Sequence, residues 1–105
     1  MKQIVFLLMM FAGFAFADFE QDTIPTANGD LTITFLGHGT LYLEWNDKVV
    51  HVDPWSRLAD YSTLPKADVI LITHHHGDHL SPDAIAAVQK DDTKINLTEK
   101  CMSKV

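Results

Sequence analysis

One short segment limits this chain more than any other. Residues 68–73 (Asp-Val-Ile-Leu-Ile-Thr) form an apolar run with the composition of a buried strand, and His74-His75-His76-Gly77-Asp78-His79 follows at once. Four imidazoles and one carboxylate in six consecutive residues have the density of a metal site. The end of a strand is where open α/β sheets deliver functional groups. In an extended backbone side chains alternate, so His74 and His76 project to one side and can chelate one cation, while His75 points away. Gly77 lets the chain turn, and Asp78 and His79 then offer an oxygen and a nitrogen to a second cation nearby. An expression tag would lie at a terminus. A solvated histidine-rich loop is the competing explanation, and the ligand spacing argues against it.

The rest of the chain supplies a frame for that cluster. Residues 31–36 and 41–45 are expected strands, and Asn46-Asp47 is expected to reverse the chain tightly into a strand over 49–52. Residues 54–67 connect this hairpin to the strand ending at Thr73. Ser81-Pro82-Asp83 predicts a helix start with Ser81 as N-cap, Pro82 in the first turn and Asp83 favourable to the helix dipole. Ala84, Ile85 and Val88 then form an apolar stripe on a helix running to about residue 90. Asp91-Asp92 ends it, and residues 94–98 return as a strand. Residues 18–30 are expected to be a polar, irregular segment closed by an Asn28-Gly29-Asp30 turn.

The first 17 residues have a different purpose. Lys2, an apolar core over residues 4–16 and Ala15-Phe16-Ala17 have the form of a secretory signal peptide cut after Ala17. The apolar run falls short of the roughly 20 residues of a membrane-spanning helix, so no stable membrane anchor is expected after cleavage. The expected location is periplasmic or secreted. Residues 1–17 carry one of the 8 basic and none of the 14 acidic residues, so cleavage takes the net charge from −6 to −7. That balance disfavours nonspecific nucleic-acid binding. Cys101 is the only cysteine, which excludes an intramolecular disulfide, and no histidine lies near it in sequence to activate it as a nucleophile.

The cluster resembles the His-x-His-x-Asp-His signature of the metallo-β-lactamase superfamily, with His74, His76, Asp78 and His79 on the motif positions. Gly37-His38-Gly39-Thr40 resembles the Gly-His-Ala-Thr opening of the branch that includes ascorbate-phosphate lactonase-like and phospholipase D-type members, with Gly39 in place of the usual Ala. His51-Val52-Asp53-Pro54 is similar to that branch's strand ending in Asp-Pro. The resemblance covers residues 31–105. It implies an α/β (α+β) chain forming the N-terminal βα half of an αββα four-layer sandwich, with two divalent metal ions, zinc foremost and manganese or iron as alternatives.

By the same resemblance His74 and His76 bind the first metal, and Asp78, also the catalytic carboxylate, binds the second with His79. The implied function is an exported metal-dependent hydrolase. Metal-bound hydroxide would attack an ester, lactone, amide or phosphoester of a small-molecule substrate. The alternative is a non-catalytic periplasmic metal-binding protein or an inactive remnant. His38 either lines the pocket, hydrogen-bonds a metal ligand or is a structural loop histidine. Asp53 either orients a ligand histidine or organises a turn. Trp55 and Tyr61 are a substrate wall or packing.

Superfamily domains are about twice the 88 residues that cleavage would leave, and no histidine follows His79. The chain is therefore expected to be incomplete, with the superfamily's remaining ligands absent. The sheet face meant for the other half would then be open to association.

Overall fold

The computed structural model describes residues 19–73, 76 and 79–102. The expected leader, and His74, His75, Gly77 and Asp78 of the histidine cluster, lie outside the described residues, as does the side chain of Cys101. Six strands form one sheet in which spatial order follows chain order: β1 (Glu20–Thr26), β2 (Gly29–Gly37), β3 (Thr40–Trp45), β4 (Lys48–Val52), β5 (Ala67–Leu71) and β6 (Gln89–Asn96). The first four are an antiparallel meander, and β5 and β6 add in parallel. A 3-10 turn, Tyr61–Thr63, lies in the β4–β5 connection. Helix α1 (Pro82–Val88) joins β5 to β6, and a short α2 (Glu99–Met102) follows. This is the expected α/β class, a mixed sheet with a helix on one face. Among the described residues no helix is long and apolar enough to cross a membrane.

Strand alternation divides the sheet into two unlike faces. Thr34, Tyr42, His51 and Ile70 lie on one cross-strand ladder and are all buried. Ala84, Ile85 and Val88 of α1 complete this core together with Leu36, Ile72 and Leu80. Burying Ile85 and Val88 contributes about 1.5–3 kcal/mol each, enough to hold a two-turn helix with little stability of its own. The neighbouring ladder, Ile33, Leu43, Val50 and Val69, faces the other way and is only half-buried.

Three expectations are corrected. Residues 20–26 are not irregular; they form the edge strand β1, fully paired with β2 through the turn at Gly29. Their polarity is that of an exposed edge, where Pro25 removes no essential ladder bond. Helix α1 ends at Val88, not near Lys90, and Asp91-Asp92 lie inside β6. The Thr93 hydroxyl draws the chain into the sheet, accepting from Lys90 N (2.7 Å) and donating to Ala67 O (2.6 Å). Ser81 does occupy the N-cap position with Pro82 following, but its side chain makes no capping bond. Its Oγ instead accepts from Ser56 N at 3.3 Å, tying the β4–β5 connection to the helix start. The Asn46-Asp47 reversal forms as expected, with both residues at positive φ (54° and 63°), the conformation of a type I′ hairpin.

Candidate metal centre

The site is built around Asp53, the first residue beyond β4. Its backbone is held in the left-handed region (φ 47°), uncommon for a residue with a side chain. Main-chain bonds fix it there: Asp53 N donates to Leu71 O (2.8 Å), and Asp53 O accepts from Thr40 Oγ1 (2.7 Å). The carboxylate is 2 % exposed and turns toward the end of β5. Oδ1 accepts from Thr73 N (2.7 Å), and Oδ2 accepts from Thr73 Oγ1 (2.6 Å) and lies 2.8 Å from His79 Nδ1.

A carboxylate oxygen accepts here, so the His79 bond places the imidazole proton on Nδ1 and makes Nε2 the ring nitrogen that bears the lone pair. That arrangement is how ligating histidines are oriented in metal sites. The turn after β5 brings His79 into position, since His76 O accepts from both His79 N (2.9 Å) and Leu80 N (2.7 Å).

Gly39, in the β2–β3 turn, lies against the other side of the His79 ring. A methyl group at this glycine would sit 3.3 Å from His79 Cε1, tighter than ordinary contact. The Ala to Gly departure at this position therefore makes room beside the Cε1–Nδ1 edge of the ring. The preceding His38 is exposed, has φ 52°, and its ring lies 4.9 Å from that of Trp55. The structure thus brings Asp53, His79, Gly39 and the His38–Trp55 pair to one end of the sheet, with exposed His76 in the same turn as His79. Tyr61 does not face the site. It is buried, and its hydroxyl accepts from Trp55 N at 3.0 Å. Burial pushes its phenol pKa up, and the Trp55 N–H partly offsets this.

Three contributors escape a reading of the sequence. Thr73 gives both a backbone and a hydroxyl donor to Asp53, and Thr40 holds the Asp53 carbonyl. A hydroxyl at a strand end facing an Asp-Pro turn was the signal for both. His51 is the third. It is 0 % exposed, stacked on Tyr42 (5.1 Å) and tilted against Tyr61 (6.1 Å), and its Nε2–H donates to Pro65 O at 2.9 Å. Nδ1 has no partner among the described residues. Burial holds the His51 pKa below its ordinary value, only partly countered by the Pro65 bond. Among the described residues no three His, Cys, Asp or Glu side chains group as a metal cluster, and two of the four motif ligands fall outside that set.

Comparison with known proteins gives consistent results. The family described as the beta-lactamase superfamily domain matches residues 32–101. A metal-dependent hydrolase of Thermodesulfovibrio yellowstonii is 34% identical over 89 residues, covering 76% of this chain and 29% of the relative. One from Flavobacterium johnsoniae is 45% identical over 56 residues, covering 48% of this chain and 24% of the relative. A crystal structure from Parabacteroides distasonis ATCC 8503, assigned to the metal-dependent hydrolases, superposes with a TM-score of 0.79 at 52% identity, covering 83% of this chain and 40% of that one. The chain spans well under half the length of each of these relatives.

Proposed function

The chain belongs to the metallo-β-lactamase superfamily, and from that premise we propose that it carries the metal-holding portion of an exported metal-dependent hydrolase. The observation that carries this reading is the 2.8 Å bond between His79 Nδ1 and the buried Asp53, a carboxylate that orients the ring and sets its tautomer as such partners do for ligating histidines. His74 and His76 hold one divalent cation, and Asp78 and His79 the other. Nitrogen and carboxylate oxygen donors fit zinc first, with manganese or iron as alternatives. The cations, when bound, supply Lewis acidity and make hydroxide accessible near neutral pH for hydrolysis of an ester, lactone, amide or phosphoester.

The chain's own residues prepare that chemistry. Asp53 keeps the His79 proton on Nδ1 and fixes the ring plane. Thr73 and Thr40 hold Asp53, and Gly39 leaves space beside the Cε1–Nδ1 edge of the His79 ring. His38 and Trp55 form the rim on which a small substrate rests. Residues 1–17 direct export and are removed after Ala17, giving a periplasmic or secreted product.

Zinc competition with a chromophoric chelator tests the site. His76→Ala and Asp78→Ala remove direct ligands and should weaken binding most. Asp53→Asn removes only orientation and should cost about tenfold to hundredfold in affinity. His75→Ala should change little. Equal loss from His75→Ala and His76→Ala would overturn the assignment. Two protein ligands per cation predict weak, partly hydrated binding by this chain and little hydrolysis.

A further inference from the structure

Two hydrogen bonds tie residues 54–65, most of the β4–β5 connection, to the rest of the described chain. Ser56 N donates to Ser81 Oγ at a long 3.3 Å, and Pro65 O accepts from the buried His51 Nε2 at 2.9 Å. The segment's other bonds are internal, closing turns from Trp55 to Leu58 and from Asp60 to Leu64. Within it the Tyr61 ring tilts against His51, and the Tyr61 hydroxyl accepts from Trp55 N. His51 thus reaches the rim of the metal centre through Tyr61 and Trp55, whose indole meets the His38 ring.

This histidine can hold the segment only while it is neutral. Nε2 carries the proton given to Pro65 O, and Nδ1 is buried without a partner among the described residues. A second proton would put an unpaired charge on Nδ1 inside an apolar enclosure. The rings of Tyr42 and Tyr61 flank it, Ile70 is its register partner on β5, and α1 adds Ala84 and Val88 to the same core. The charged groups of the surrounding elements are engaged elsewhere: Asp53 by Thr73 and His79, Asp60 by Ser62, Lys66 by Ala87 O, and Asp68 by Lys90. Glu44 on β3 is half-buried and Asp83 on α1 is exposed, and neither bonds to the ring.

We propose that His51 is a pH-operated latch: neutral, it pins the β4–β5 connection to the sheet, and protonated it frees residues 54–65, which carry Trp55 off the rim. The charge is tolerated only where water reaches the ring, so proton uptake and opening are one event. Burial holds the closed ring's pKa below its ordinary value, whereas the opened ring titrates at about 6.5. With one proton taken up, the opened population rises about tenfold for each pH unit below about 6.5, until the closed ring protonates as well. None of these bonds involves a metal ligand, so the latch does not depend on the hydrolase reading.

Hydrogen exchange of the full chain, read by mass spectrometry and corrected for the intrinsic rate at each pH, tests the latch. The amides of Trp55, Leu58, Thr63 and Leu64 report the connection, and those of β3 and β4 report global unfolding. From pH about 7 to about 5, protection of the connection should fall by about tenfold per unit below about 6.5 and stay under that of the strands. His51→Gln keeps a donor for Pro65 O and takes up no proton, so its protection should stay high and flat. His51→Phe removes the donor and should give low, flat protection. A wild-type connection whose protection ignores pH, or matches that of the strands throughout, would overturn the proposal. So would the wild-type slope persisting in His51→Gln.

Discussion

Two aspartates at opposite ends of the parallel pair β4–β5 do the same bonding job in different surroundings. Asp53, at the carboxyl end, accepts Thr73 N, Thr73 Oγ1 and His79 Nδ1 while 2 % exposed. Asp68, at the amino end of β5, accepts Val49 N (2.8 Å) and Lys90 Nζ (2.7 Å) where solvent reaches both partners. Both link neighbouring strands. Only at Asp53 is the carboxylate itself buried, its side chain 3% exposed against 21% for Asp68. The bonds around Asp68 can be exchanged for water, and its pKa is depressed by the Lys90 and Val49 hydrogen bonds without a large structural stake. A carboxylate's importance here is set by how far it is itself withdrawn from water.

The largest expected effect follows directly. Asp53→Ala takes a buried carboxylate away from three partly buried donors and should destabilise the chain by about 1.5–3 kcal/mol in urea unfolding. A loss below about 1 kcal/mol would erase the distinction between the two ends.

His51 sharpens the comparison through pH. Its unfolded imidazole keeps the ordinary value of about 6.5, whereas the folded one is lower, so between the two values the unfolded chain binds more protons. Stability is full above pH about 6.5 and falls as pH drops toward the folded value. His51→Phe should flatten that limb of the pH–stability profile. An unchanged slope would remove His51 as its cause. Asp68 acts in a lower window, its contribution being present above the ordinary carboxylate value and lost as pH falls through its own depressed value.

Gly39→Ala is a smaller perturbation. The His79 ring has to give by a few tenths of an ångström, so the stability loss should stay under about 1 kcal/mol while zinc affinity drops severalfold. Zinc binding that resists the change would show that the glycine is not needed for clearance. Asp68→Asn should do least, leaving zinc affinity unchanged and the melting midpoint close to that of the wild type. A melting shift matching that of Asp53→Ala would break the comparison from its other side.

Much of the frame was legible because periodicity reports burial. The strands β2 to β5, the Asn46-Asp47 reversal and the Pro82 helix start all carry local signals. β1 was not legible, since an edge strand buries nothing and Glu20–Thr26 therefore lacks an apolar pattern. The end of α1 was misplaced because a tertiary contact, Thr93 to Ala67, decides it. At the site, the Asp53-Pro54 pair allowed both a turn and an orienting role, and only distance distinguishes them. Thr40, His51 and Thr73 act through partners 13, 14 and 20 residues away, which no local pattern records.

The strand order has a consequence for how the molecule assembles. Because every strand pairs with its sequence neighbour, β1 to β4 close through tight hairpins, and such short-range contacts form early and fast. β5 and β6 must instead close a loop of a dozen or more residues before any ladder bond forms, an entropic step the hairpins avoid. The Asp53–His79 bond spans that boundary, with its acceptor on the fast-forming meander and its donor beyond the slow crossover. The metal centre is thus a late product of folding, and Trp45 in the meander and Trp55 in the crossover are natural fluorophores for timing the two stages.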